Sequence, residues 1–334
     1  MSIKNWSAGI IRPVAVAPAG PYQDGAASGV WTLDQVSYWQ KQGLWPVAGN
    51  VLEIALFTGS ELAIDKVLIQ TLGNATDFGD CTQERNYLAA CSSSTRGVFG
   101  GGAAGVSNVN TIDFVTFSTE ANATDFGDLT AATERMAGCS SATRGLFMGG
   151  NTGPRTNTIQ YITIAAAGNA TDFGDLLNQQ EYSAGFSSST RGICSGGETA
   201  VRLNVIQYIT IASTGNAIDF GDLTITRNSA AGLSNSTRGI TAGGETSGGT
   251  GATNVMDYVT IASTGNAIDF GDMVEEKFRP GGAAGKTRGV IAGGTGTQNI
   301  IQYITISSTG DALDFGDLTA NLTPAGCSNA HGGL

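Results

Sequence analysis

From Val51 to the last residue, apolar and polar positions alternate in short runs separated by turns of Gly, Asn, Ser and Thr. Period-two runs bounded by such residues predict half-buried β-strands. The copy from Met136 to Asp175 displays the pattern. Met136-Ala-Gly-Cys-Ser-Ser141 is a first strand, a, and Thr143-Arg144-Gly145 turns it into a second, b, Leu146-Phe-Met-Gly-Gly150. Strand c, Ile159-Gln-Tyr-Ile-Thr-Ile164, is rich in β-branched and aromatic residues, which favour a pleated, half-buried surface. A Gly168-Asn169 turn leads to strand d, Thr171-Asp-Phe-Gly-Asp175. Asp-Phe-Gly-Asp recurs from Asp77, Asp125, Asp172, Asp219, Asp269 and Asp314, at intervals of 48, 47, 47, 50 and 45 residues. Thr-Arg-Gly follows the first five copies at a fixed offset of 18 residues. A period in this range marks a repeat architecture, and four short antiparallel strands per repeat make the blade of a β-propeller.

The strands suit that geometry. Strand a holds Ala, Gly, Cys and Ser, as it must where blades converge on a narrow axis. Phe78, Phe126, Phe173, Phe220, Phe270 and Phe315 fall on outer strands, where blades diverge and leave volume, so they are expected to form a blade-to-blade belt. The aspartates flanking them are expected to accept hydrogen bonds from turn amides. Cys327-Ser-Asn-Ala-His-Gly-Gly-Leu334 aligns with Cys139 to Leu146, and Ala55-Leu-Phe-Thr-Gly59 matches Gly145 to Gly149. A sixth blade is therefore expected to take strand a from the carboxyl-terminal segment that includes Cys327–Leu334 and strand b from 55–59, with strand c near Lys66–Gln70. This seals the ring and removes open edges. The predicted fold is all-β: a six-bladed propeller closed by N- and C-terminal strands.

Residues 1–50 differ in kind and form an extended N-terminal arm, set apart from a propeller over 51–334. All four tryptophans (Trp6, Trp31, Trp39, Trp45) lie in the arm. One short helix is predicted over Leu33–Gln42, with Thr32 and Gln35 as a capping box, Trp31 and Val36 as a hydrophobic staple and Gly43 as the stop. Four indoles on so short a segment need a surface to cover them. They are read as docking the arm onto another subunit, the alternative being the domain's own side.

Net charge changes this picture little. Of 28 acidic residues, the six Asp-Phe-Gly-Asp motifs supply 12 towards the formal −11, so the acidity follows the architecture and argues against nucleic-acid binding through a basic face. No apolar run is long enough for a membrane-spanning helix, and no secretory signal is recognisable at Met1-Ser-Ile-Lys-Asn-Trp6. Cys91, Cys139 and Cys327 share a repeat position with Phe186, Leu233 and Ala283, which reads as a buried apolar site. No metal or cofactor is expected. The Asp-Phe-Gly triplet lacks the other motifs of a kinase, and the Asn and Asp of the repeated turns lack the ligand spacing of a calcium loop. Asn-Ala-Thr at Asn74, Asn122 and Asn169 is a glycosylation sequon that two later copies replace. With His331 as the sole histidine and no nucleophile beside a base, no catalytic residues are assigned and the protein is read as not an enzyme.

Length variation has one address. From the second Gly of each doublet to the aromatic of strand c the steps are 12, 11, 11, 14 and 9, and the remainder of every repeat is 36 residues. The b–c and d–a connections share one rim of an up-and-down blade, so one rim varies while the other carries uniform turns. Variable loops on a rigid scaffold are where recognition usually sits. Candidate recognition residues are Asn151, Arg155, Glu198, Arg202, Glu245 and Asn254.

A Gly-Gly doublet closing strand b, an aromatic on strand c and an Arg before strand a resemble the kelch repeat. Arg85 and Arg227 align, Arg135 and Arg279 sit two residues later, and Phe stands where kelch blades carry Trp. The phrases NATDFGDL, CSSSTRGVFGGG and SGVWTLDQVSYWQKQGLWP are similar to those of kelch-like virion proteins of tailed phages of marine bacteria, cyanophages in particular. That resemblance implies a bacteriophage structural protein assembled in the host cytoplasm. It would serve as a tail fibre or other tail appendage, docked through its arm onto other virion proteins or a second copy, with the rim meeting a host-surface glycan or protein. A capsid or tail decoration protein without receptor binding is the alternative it leaves open.

Overall fold

The alternation is realised as six four-stranded antiparallel sheets in a computed structural model that describes residues 52–246, 251–296 and 299–334. The helix expected over Leu33–Gln42 and the four tryptophans lie outside the described residues. Strands a to d of blade 1 are Ala89–Ser92, Arg96–Gly100, Thr111–Thr116 and Thr124–Asp128. Those of blade 2 are Ala137–Ser140, Arg144–Met148, Thr158–Thr163 and Thr171–Asp175, and those of blade 3 Ala184–Ser187, Arg191–Ser195, Val205–Thr210 and Ile218–Asp222. Blade 4 comprises Ala231–Ser234, Arg238–Ala242, Thr253–Thr260 and Ile268–Lys277. Blade 5 comprises Gly281–Ala284, Arg288–Ala292, Ile300–Thr305 and Leu313–Asp317. Strand d of blade 4 runs five residues past its Asp-Phe-Gly-Asp and pairs Lys277 with Thr253, so Glu275–Lys277 are strand where the other blades have their d–a loop.

Blade 6 is the composite. Ala325–Ser328 supplies strand a, and Ile54–Thr58, Ala63–Leu68 and Thr76–Asp80 supply b, c and d. Ala55 pairs with Ser328 and Thr58 with Ala325. Strand c starts earlier than the expected Lys66 because a short hairpin already pairs Thr58 with Ile64. The six a strands touch in sequence around the axis, blade 6 meeting both blade 5 and blade 1.

Each seam between blades holds one apolar cluster, and each cluster contains one phenylalanine of the repeated motif. At the blade 2–3 seam, for example, Phe173 packs with Leu146 and Leu176 from its own blade and with Ile209 and Ala217 from the next. In five blades the phenylalanine also meets the strand-c aromatic edge-on, at 5.7–6.1 Å between centroids. Blade 6 has Lys66 at that position, ion-paired to Glu120 at 2.7 Å.

Two polar latches repeat across the seams. The turn Asn before strand d accepts a hydrogen bond from the second Asp's backbone N–H of the preceding blade: Asn122 from Asp80, Asn169 from Asp128 and Asn216 from Asp175, at 3.0–3.1 Å. Asn74 does the same for Asp317, so the series passes through the composite blade. The expectation for the aspartates is thus corrected. The turn side chain is the acceptor, because the first Asp points to solvent; among the described residues a motif carboxylate accepts only at Asp77, from Gly79 N at 3.3 Å. The second latch is the Arg of Thr-Arg-Gly. It lies over its own blade's aromatic at 4.4–4.7 Å and donates from Nη1 to a carbonyl ending strand c of the next blade, as Arg144 does to Ile211 O at 2.8 Å.

Candidate recognition rim and axial mouth

The b–c and d–a loops share one rim, as expected, and it is tied together by ions. Arg155 donates from Nε to Glu181 Oε1 and from Nη2 to Glu198 Oε1, each at 2.8 Å. Asn151 Nδ2 donates to Glu181 Oε2 at 3.1 Å, Asn228 Nδ2 donates to Glu198, and Arg202 pairs with Glu245 at 2.7 Å. Five of the six candidate recognition residues therefore bind one another or a neighbouring loop across blades 2 to 4. Asn254 is not in a loop: it lies in strand c of blade 4, which the long hairpin of that blade extends to Thr253.

The second feature of this rim is a ring at the end of the axis. The residue that leads each d–a loop into strand a is Tyr87, Arg135, Tyr182, Ser229, Arg279 or Thr323, in blade order. The first five have φ between 54° and 61°. In four of them the N–H bonds the preceding carbonyl round the axis: Arg135 to Tyr87, Tyr182 to Arg135, Ser229 to Tyr182 and Arg279 to Ser229, at 2.7–3.0 Å. A left-handed non-glycine residue costs roughly 1–2 kcal/mol. In a chain with 49 glycines, glycine occupies none of these positions, so the side chains contribute something a bare backbone does not.

Arg135 and Arg279 come from opposite blades and lie against the same two rings. Arg135 is 5.3 Å from the Tyr87 centroid and 4.8 Å from that of Tyr182; Arg279 is 4.9 and 5.3 Å from them. Arg279 donates to both phenolic oxygens, at 3.1 Å to Tyr87 and 3.2 Å to Tyr182. Arg135 is neutralised by Glu134 at 3.2 Å and Glu181 at 3.0 Å. Arg279 makes no ion pair among the described residues; Glu134 feels its charge only at longer range, and burial pushes that carboxyl up. The ring opens into a cavity of about 140 Å³ lined by its own residues and, below them, by the small residues of the a strands, among them Ala137, Gly138, Gly185, Gly232 and Gly282.

The Arg of the repeat, ragged by two residues in the sequence, occupies two distinct places. Arg85 and Arg227 are fully buried and pair with Asp113 and Asp257 inside blades 1 and 4. Gln180 and Gln207 take the same places in blade 3, bonded at 3.0 Å. Arg135 and Arg279 reach the axis instead. Tyr87, Tyr182 and Ser229 carried no signal in the sequence, because nothing local to them announces a left-handed backbone.

The other end of the axis is closed by a hydroxyl belt and the last residues. Ser92 Oγ donates to Ser328 O, Ser140 Oγ to Ser92 O, Ser187 Oγ to Ser140 O and Ser234 Oγ to Ser187 O, at 2.7–2.8 Å. Ala284 interrupts the belt. His331 does not copy the Thr of a turn. The tail crosses the axis, Gly332 N bonding Ser234 O, and places His331 Nε2 at 3.2 Å from Ser140 Oγ and 3.1 Å from Ser92 O. Burial holds its imidazole neutral, lowering the pKa to about 4. The unfolded chain binds this proton more readily, so stability is expected to fall as pH drops from the ordinary histidine value of about 6.5 towards 4, by at most about 3 kcal/mol. Melting curves of wild type and His331→Gln over that window check this: the variant should lose less stability.

Cys81, Cys91, Cys139, Cys194 and Cys327 are buried and unbridged. Among the described residues no group of three or more His, Cys, Asp and Glu side chains is placed to hold a metal ion, and no helix is long and apolar enough to cross a membrane. The geometry defines the class, a six-bladed β-propeller with a composite closing blade. Compared with known proteins, the chain matches no family model and no curated protein at a significant level.

Proposed function

We propose that this protein is a non-catalytic structural and recognition component of a bacteriophage virion, a tail fibre or other tail appendage. One observation carries the polarity of this reading. The chain enters the propeller at Glu53, where Ile54 N bonds Asn329 Oδ1 at 2.8 Å, on the rim of the uniform turns, and the last strand also ends there. The loops that vary in length all lie on the opposite rim. An arm docked on other virion proteins or on a second copy would thus leave the variable rim facing outward, towards a host-surface glycan or protein. A decoration protein of capsid or tail is the second reading, and the ion-paired rim favours it, since Arg155, Glu198, Arg202 and Glu245 already satisfy one another.

A glycan and host-surface binding assay separates the two. Appendage function predicts specific binding by the propeller that is lost when residues 151–158 and 245–254 are exchanged for the shorter loop of blade 5. A decoration protein would bind particles through residues 1–50 and show no such specificity. Absence of both activities would overturn the virion reading.

A further inference from the structure

The axial mouth has no part in the reading above, and its groups point to a ligand of their own. Two guanidinium groups from opposite blades approach the same pair of tyrosine rings, so two like charges share one small volume. Glu134 and Glu181 offset only the first. Arg279, partly withdrawn from solvent, spends its Nη donors on two neutral phenols, and the Nε–H groups of both Arg135 and Arg279 are buried with no acceptor. An uncompensated, partly desolvated cation is costly unless an anion completes it. The backbone strain at Tyr87, Arg135, Tyr182 and Arg279 is consistent with that demand, since it holds these large side chains at the axis where glycine would be easier to accommodate.

We propose that the axial mouth binds a small organic carboxylate. Its two oxygens would take the guanidinium fork of Arg279 with Arg135 opposite, flanked by the Tyr87 and Tyr182 hydroxyls and by Ser229. The ring that carries it would enter the cavity, whose volume of about 140 Å³ is close to the roughly 150 Å³ that accommodates one benzene ring. The glycines and alanines of the a strands leave room there for a six-membered ring, which a compact tetrahedral anion such as sulfate would not fill. A free aromatic acid and the terminal sugar acid of a glycan share this chemistry, one carboxylate on one six-membered ring.

Benzoate, galacturonate, benzamide and inorganic sulfate, titrated into the full chain by calorimetry, test this. Benzoate or galacturonate should bind saturably, and which of the two is tighter tells a free acid from a sugar acid. Benzamide and the Arg279→Gln variant should be weaker by at least about tenfold, with partial recovery in Arg279→Lys. Should Arg279→Gln fail to fold, phenylglyoxal labelling of the wild-type chain still decides: the bound carboxylate should protect Arg279 while leaving Arg144 reactive. No saturable carboxylate binding, equal affinity for benzamide or sulfate, or unprotected Arg279 would overturn the proposal.

Discussion

Removing residues 325–334 is expected to abolish cooperative unfolding, with the lost signal restored by a synthetic peptide of the same sequence supplied in trans. The segment provides strand a of blade 6, and its loss opens the ring at two places at once. Strand b, Ile54–Thr58, loses its inner partner, and the a strands of blades 5 and 1 lose their common neighbour. Cys327 leaves the cluster it shares with Leu56, Phe78 and Phe99, Ser92 loses the carbonyl it bonds, and the His331 plug is gone. A domain is stable by only about 5–15 kcal/mol in total, and an unpaired inner strand together with two opened seams exceeds what that margin tolerates. A truncated chain that melts cooperatively at the wild-type temperature would mean that the ring does not depend on this closure.

Gly271→Ala is expected to cost about 4–5 kcal/mol, against about 1–3 kcal/mol for Gly310→Ala. Both glycines have left-handed-side φ, 137° and 152°, so the conformational part of the penalty is similar. They differ in what a methyl group meets. At Gly271 it would lie 2.6 Å from the carbonyl carbon and oxygen of Gly310, whereas nothing lies within 4 Å of one at Gly310. The turn of blade 5 rests directly on the Gly of the motif in blade 4. Displacing it endangers three bonds across the seam: Gly310 N to Phe270 O, Ala312 N to Asp272 O and Asp272 N to Asp311 Oδ1. Denaturant titration of both variants measures the difference. Equal penalties would show that the close approach carries no weight.

The same comparison explains why the repeat reads Asp-Phe-Gly-Asp. Phe fills the seam, Gly receives the next blade's turn, and the second Asp offers its backbone N–H to that turn's Asn. The motif describes a joint between blades, and its resemblance to a catalytic triplet is incidental. From the sequence the size of Phe and its place between blades were legible, but what the Gly and the second Asp met was not. For that reason the sequence points to the Asp carboxylates as acceptors, where the structure uses the turn side chain of the next blade.

Period, strand order, the number of blades and the composite closure of the carboxyl-terminal segment with Ala55–Gly59 were all written in the order of the residues. Each depends on local alternation and on copying at a fixed interval, which a linear pattern preserves. The side on which loops vary followed as well, because up-and-down connectivity alone places alternate turns on opposite rims. The ion-paired loops, the tail folded across the axis and the Arg-Tyr ring belong to the tertiary structure. They join residues from different blades at nearly equal height on a closed ring, and ring closure converts sequence separations of one to about five repeats into contact. Arg135 and Arg279, 144 residues apart in the chain, share two tyrosines only because six blades bring opposite positions onto one axis.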